Sequence, residues 1–384
     1  MRIVRTTSDL PSSIFEWVSS PRWREAVTAT AKVALDKAAC LLRFTANMSL
    51  PPTEWLRIVT EIDAATQLWA ERGWFDRPRA YHRSPEAPAR VTLMHATSRR
   101  LKFRHLRFLS GYEPHADEPG RARWLGHVPN RTAHAWVFRH PGRPRPWLMC
   151  IHGYSFGMPF VDLDAFRVDW LHNSLGLNVI LPVLPLHGPR RISWQSGDGF
   201  FRGDVLDTLH AEAQAVWDAR RLLAWLRADG ADCIGVYGLS LGGYTAAVLA
   251  ALEPELACVI AGIPASDFVR LAQLHIPAFT QRLATQAGLQ WNDVTRLYRV
   301  ISPLVLEPCV PLERRYIFGG RADCIVPPEQ VSAIWECWGR PRIAWYDGSH
   351  LSFLWEPAAE SFVTEALHAT FGSAGLAEVE RAAA

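Results

Sequence analysis

One serine in this chain is bracketed by glycines two positions to either side, in Gly238-Leu239-Ser240-Leu241-Gly242, with Gly243 behind it. A serine held on a tight turn between a strand and a helix needs this spacing, because neighbouring backbone passes where a Cβ would stand. The hydroxyl then projects clear of the sheet, and the free N–H groups of the helix start face the same point. The chemistry this permits is nucleophilic attack on a carbonyl carbon. A bare match of this kind has roughly one chance in ten of arising at random from the Gly and Ser content of such a chain. Its meaning therefore lies in its setting: the strand-like CIGVY runs into it and the helix-like LGGYTAAVLAAL leaves it.

A serine hydroxyl is a poor nucleophile near neutral pH and needs a base within hydrogen-bond reach, itself oriented by an acid. Among fourteen histidines, His350 is singled out by place. It lies C-terminal to Ser240 in Tyr346-Asp347-Gly348-Ser349-His350, directly after PRIAWY, at the end of a strand where open α/β sheets build their sites. Asp323 in Gly319-Gly320-Arg321-Ala322-Asp323 follows RRYIF and is the expected acid. Asp267 in PASDFVRL is its rival, although that position equally suits a helix N-cap. Asp347 is too near the histidine in sequence to orient it. Two N–H donors must hold the oxygen of a tetrahedral intermediate: Leu241 supplies one, and Tyr154 in His152-Gly153-Tyr154-Ser155 the other, with Ser155 as second choice. His152 is expected to brace that turn and His187 in LPLHGPRR to be structural, while His275 either lines a pocket or is a satisfied core residue.

The elements that must position these residues can be read from periodicity. Residues 12 to 80 read as amphipathic helices, one from about 24 to 46 and a second started by Pro52 and Thr53 and stopped at Gly73. RPRAYHRSPEAPAR then reads as a linker. From residue 101 short apolar runs alternate with helical stretches, the pattern of a mostly parallel sheet covered by helices on both faces. Eight strands are expected, at 101–109, 132–139, 146–151, 177–184, 233–237, 256–262, 314–319 and 342–346, the first two antiparallel. The charged run SRRLKFRHLR fits the solvated side of the first. Helices are expected at 161–174, 204–228, 241–252, 328–338 and 354–370. The connection 264–313 is too long for a structureless loop and carries the helical patterns FVRLAQLHIPAFTQRL and WNDVTRLYRVI, so a helical cap is expected there. The organisation is thus a helical extension and linker (1–90), a core (91–372) and a frayed tail (373–384).

Composition excludes several function classes. A formal charge of +3 over 384 residues, spread along the chain, leaves no nucleic-acid footprint. Seven cysteines, odd in number and without a C-x-x-C pair, argue against a disulfide framework or zinc site. No metal constellation and no phosphate-cradling glycine motif is present, so no cofactor is expected. The N-terminus lacks the apolar core and cleavage site of a signal peptide, and no apolar run approaches membrane-spanning length. A cytoplasmic protein is the expectation. The helix at 24–46 could alternatively lie on a membrane surface and deliver lipid, although docking on the core is preferred.

Taken together, HGYSFG, LPLHGPR, GLSLGG, GGRADCIVPP and DGSHLSF resemble the corresponding segments of the α/β-hydrolase superfamily, over roughly residues 101–370. The resemblance implies an eight-stranded core, the order Ser240, Asp323, His350 as a triad, and acyl transfer through a covalent acyl-enzyme. It leaves the first hundred residues unexplained and does not fix the substrate. The apolar cap and 17 tryptophans, most of which are expected in the core, point toward a small-molecule or lipid carboxylic ester. A serine peptidase or acyltransferase on the same fold, and a non-catalytic binding protein, are the alternatives. The last usually lacks a triad member, and no acidic pair for a peptide amino terminus is evident. Oligomeric state is not legible.

Overall fold

A computed structural model describes residues 29–44, 50–202 and 204–372. The expected tail at 373–384, the first 28 residues and the ends of the helix expected at 24–46 lie outside the described residues. In chain order the helices are α1 (Ala29–Phe44), α2 (Pro52–Arg72), α3 (Arg121–Gly126), α4 (Pro159–Ala165), α5 (Val205–Ala228), α6 (Leu241–Leu252), α7 (Phe268–His275), α8 (Ala278–Gln286), α9 (Trp291–Tyr298), α10 (Pro328–Cys337) and α11 (Pro357–Phe371). The strands are β1 (Thr92–Ser98), β2 (Leu101–Leu109), β3 (Thr132–Phe138), β4 (Trp147–Ile151), β5 (Asn178–Val183), β6 (Ile234–Leu239), β7 (Cys258–Gly262), β8 (Arg315–Gly320) and β9 (Arg342–Tyr346).

They form one sheet in the order β1-β2-β3-β5-β4-β6-β7-β8-β9. β1, β2, β3 and β5 pair antiparallel, and every pairing from β5 to β9 through β4 is parallel. The sheet has nine strands where eight were expected, and the extra one is β1. It escapes a pattern search because its side chains are mostly exposed on both faces, so TLMHATS carries no apolar alternation. Its hairpin turn is Arg99-Arg100, both in the left-handed region (φ 49° and 62°), where Asn-Gly would be the usual signal. In β2, Phe103, Leu106 and Phe108 are buried while Lys102 and Arg104 face solvent, as the solvated-strand reading requires.

The central strands β4 to β7 are buried throughout, which explains their mostly apolar composition. One core layer gathers α2, α5, α6 and the cap on one face; the other gathers α4 and α11 on the opposite face. Two expected helices break. The one at 161–174 ends as α4 at Ala165, because Arg167 turns left-handed (φ 49°), and resumes only as a single wide turn at Trp170–Ser174. FVRLAQLHIPAFTQRL is two helices, divided where Ile276 goes extended before Pro277, whose ring disfavours a helical predecessor.

Helix α2 is fastened to the core rather than trailing from it. It starts at Pro52 and stops at Gly73, which takes φ 66° and caps the carbonyls of Trp69 and Ala70. Its Arg57 and Glu61 join Arg123, Asp204 and Asp207 in an ion cluster, with Arg57 Nη2 2.6 Å from Asp204 Oδ2 and Arg123 Nη1 2.7 Å from Glu61 Oε1. Behind it Trp69, Trp74 and Tyr81 pack edge to face. Among the described residues, no helix is long and apolar enough to cross a membrane, and the six described cysteines are free thiols.

Candidate active site

Ser240 stands between β6 and α6 with φ 55° and ψ −114°, a strained conformation for a residue with a side chain. The strain persists because the surroundings allow nothing else. A Cβ at Gly238 would fall 2.0 Å from the Gly242 carbonyl oxygen, and one at Gly242 would fall 1.9 Å from that of Ile151. Either substitution drives backbone into backbone.

The loops at the C-terminal ends of β8 and β9 bring Asp323 and His350 to this turn. Ser240 Oγ lies 2.9 Å from His350 Nε2, placed to donate its hydrogen to the ring. His350 Nδ1 donates to Asp323 Oδ2 at 2.6 Å. The other carboxylate oxygen of Asp323 accepts the N–H groups of Ile325 (2.9 Å) and Val326 (2.7 Å), so the carboxylate cannot rotate away. Both partners are nearly sealed from solvent, with side chains 7% and 1% exposed. Burial alone would push the imidazole down, but the charge and hydrogen bond of Asp323, with Asp36 behind it, override that and hold His350 above the ordinary histidine value.

The rival residues go elsewhere. Asp267 caps α7, accepting from the N–H groups of Val269 and Arg270. Asp347 is exposed and pairs with Arg321. His152 ties two loops together: Nδ1 donates to the Gly153 carbonyl (2.8 Å) and Nε2 accepts the Leu184 N–H (3.0 Å). Burial pushes it to about 4, so it stays neutral. His187 is buried with Nδ1 on the Pro185 carbonyl, and His275 lines the cavity beside Ser240 while bonding the Ile325 carbonyl at 2.7 Å. The cavity-lining reading of His275 holds, and its ring is hydrogen-bonded although the residue is only half-buried.

Leu241 directly follows the serine, and Tyr154 lines the same cavity. Leu241 is the first residue of α6, where an N–H has no carbonyl one turn earlier to bond. Gly153 packs directly on Ser240, a Cβ there standing 3.4 Å from Ser240 Cβ. Tyr154 and Ser155 form the crest of a turn closed by Phe156 N–H to the Gly153 carbonyl, with Ser155 at φ 71°. In front of Ser240 opens a cavity of about 490 Å³ with an almost wholly apolar lining, including Phe160, Phe201, Phe268 and Leu289. The N-terminal helices contribute to its wall through Ala39 and Trp55, and the cap through Trp291. The remaining tryptophans described as fully buried, such as Trp69 and Trp338, fill the core instead.

One residue of the site was not found in the sequence. Asp36 of α1 is completely buried beneath the loop that carries His350 and accepts from the backbone N–H groups of His350 (2.7 Å), Leu351 (3.1 Å) and Cys324 (3.3 Å). The available signal was a carboxylate on the inward stripe of a helix, in register with Lys32 and Ala39.

No family model matches the sequence. Among solved structures, the chain is similar to acetyl xylan esterase 1 from Thermoanaerobacterium sp. (17% identity, TM-score 0.51, 77% of this chain and 93% of that one). It is similar also to the acetyl xylan esterase from Paenibacillus sp. R4 (16%, TM-score 0.51, 72% and 88%). With the strand order and the serine turn, this decides the fold. The chain has the α/β-hydrolase fold. It belongs to one family with the uncharacterized proteins MT2702 and Rv2627c of Mycobacterium tuberculosis, each 42% identical over 321 residues, 81% of this chain and 75% of theirs. Among its described residues no group of three or more His, Cys, Asp or Glu is placed to hold a metal ion.

Proposed function

We propose that the protein is a serine hydrolase cleaving a carboxylic ester with an apolar acyl group. One observation carries this: Ser240, His350 and Asp323 form a continuous hydrogen-bonded chain whose serine end opens into an apolar cavity. The fold neighbours named above are esterases, the same class of reaction. In the proposed cycle His350 Nε2 takes the Ser240 proton as Oγ bonds to the ester carbonyl carbon. The Tyr154 and Leu241 N–H groups receive the oxyanion, and Asp323 stabilises the imidazolium. Collapse expels the alcohol, which leaves with the proton from Nε2. A water molecule then gives a proton to the same nitrogen as its oxygen bonds to the acyl carbon; the acyl–Oγ bond breaks, Oγ takes the proton back from Nε2, and the acid leaves.

Two expected outcomes test the reading in solution. The base must be neutral to act, so kcat/KM rises with pH as His350 loses its proton. Because Asp323 holds that proton more tightly, the midpoint lies above the ordinary histidine value of 6.5. A rate flat from about pH 5 to 8, with chemistry limiting, would remove His350 from this role. On p-nitrophenyl esters of increasing length, kcat/KM should climb by up to about fourfold for each methylene that enters the cavity, since burying one is worth about 0.8 kcal/mol. The climb should stop when the cavity is full. A panel in which acetate is the best substrate would place the alcohol, and not the acyl chain, in that space.

A further inference from the structure

The helix α1 lies outside the sheet-and-helix core, yet it reaches the base loop at two points. Its Lys32 Nζ pairs with Glu356 Oε1 at 2.5 Å, and Glu356 Oε1 also accepts from Ser352 Oγ at 2.9 Å, just beyond His350. One turn further along, Asp36 accepts three backbone N–H groups from two different loops. His350 and Leu351 belong to the loop after β9, and Cys324 to the loop after β8 that carries Asp323. A single carboxylate therefore clamps the loop of the base to the loop of the acid. A helix whose only task was to cover apolar surface would present an apolar side chain here, because burying a carboxylate is costly unless its charge is used.

We propose that Asp36 is a positioning residue of the reaction, fixing His350 against Ser240 and Asp323 and adding a second negative charge behind the imidazolium. The inference rests on His350 being the base. Asp36 does not line the cavity, so its loss should lower kcat and leave KM in place. It should also weaken the hold of His350 on its proton. The groups facing the imidazole are Asp323 from the loop after β8, Asp36 from α1, His275 from α7 and the Ser240 hydroxyl. Around Asp36 itself stand Cys324, Tyr346, Lys37 and the Lys32–Glu356 pair. Of these, only Asp323 and Asp36 raise His350, and Asp323 is retained in the test.

The test compares wild type with Asp36→Asn, which keeps the shape and removes the charge. The titration of His350 is followed by NMR of ¹³C-histidine-labelled protein, its signal assigned by loss in His350→Gln. The rate of covalent labelling by a fluorophosphonate is followed over the same pH range. The His350 midpoint is expected to fall by about one unit in Asp36→Asn, with the acid limb of labelling moving with it. The plateau labelling rate should also drop about tenfold. An unchanged midpoint would overturn the proposal, since a purely structural residue leaves it alone. If Asp36→Asn fails to fold, the wild-type amide resonances of His350 and Leu351 carry the test. They should move together in one carboxylate titration, and amides that ignore pH overturn it. Failure of the hydrolase reading looks different. Wild type that is never labelled removes the serine chemistry while the NMR titration still decides on Asp36, whereas Ser240-dependent labelling with no effect of Asp36→Asn removes Asp36 alone.

Discussion

Replacing Ser240 with alanine is expected to abolish fluorophosphonate labelling, read as the missing mass increment on the intact protein, and to cut ester hydrolysis by about 10⁴- to 10⁶-fold. The size of the loss follows from the arrangement. His350 and Asp323 have no other hydroxyl within the hydrogen-bond chain to activate, so removing Oγ leaves only whatever the oxyanion donors and the cavity do for attack by water. The variant should fold as well as wild type, because Ala at this φ is no more strained than Ser and the flanking glycines are untouched. Equal labelling of wild type and Ser240→Ala would show that another nucleophile reacts. A folded wild-type protein that resists both the label and every ester would leave a hydrolase fold without hydrolase chemistry.

The second large effect concerns stability. Arg190 and Asp218 form an ion pair at 2.8 Å, with side chains 0% and 5% exposed. The guanidinium also donates to the carbonyls of Val183 and Asn130, and Asp218 accepts from Ser110 Oγ at 2.6 Å. Burial pulls the arginine down from its usual value, and the carboxylate works against that. Asp218→Ala strands the guanidinium in the interior, which should cost about 3–5 kcal/mol and lower the Tm by about 5 °C, read by calorimetry. A loss under about 1 kcal/mol would mean that the arginine escapes to water. The pair matters to the site because Arg190 closes the loop after β5. Within that loop Gly188 packs so tightly on Gly157 that a Cβ would fall 1.9 Å from the Gly157 carbonyl oxygen. The turn bearing Tyr154 rests on that packing.

The sheet, most helices and the places of Ser240, His350 and Asp323 could be read from the chain because each depends on a local rule. Central strands are buried on both faces and so spell out apolar runs. The serine turn demands glycines at fixed offsets, and strand-end loops collect polar residues. What escaped depends on partners distant in sequence. β1 is a strand because β2 is beside it, and its own residues have no side to bury. The break after Ala165 turns on one residue adopting a left-handed backbone that arginine rarely takes, which no residue preference announces. Asp36 looked like an ordinary charge on an amphipathic helix, and its meaning appears only when residues more than 300 positions later fold onto it.

That separation has a consequence for the order in which the molecule is made. During synthesis the helix bearing Asp36 leaves the ribosome early, and its hydrogen-bond partner His350 follows 314 residues later. At the usual pace of translation, about 5–20 residues per second, the helix waits for tens of seconds before the segment it clasps exists. A nascent or prematurely ended chain can already contain Ser240 and Asp36 while lacking the histidine they both contact. The hydrogen-bonded run from Ser240 through His350 to Asp323 therefore cannot assemble until residue 350 has been made.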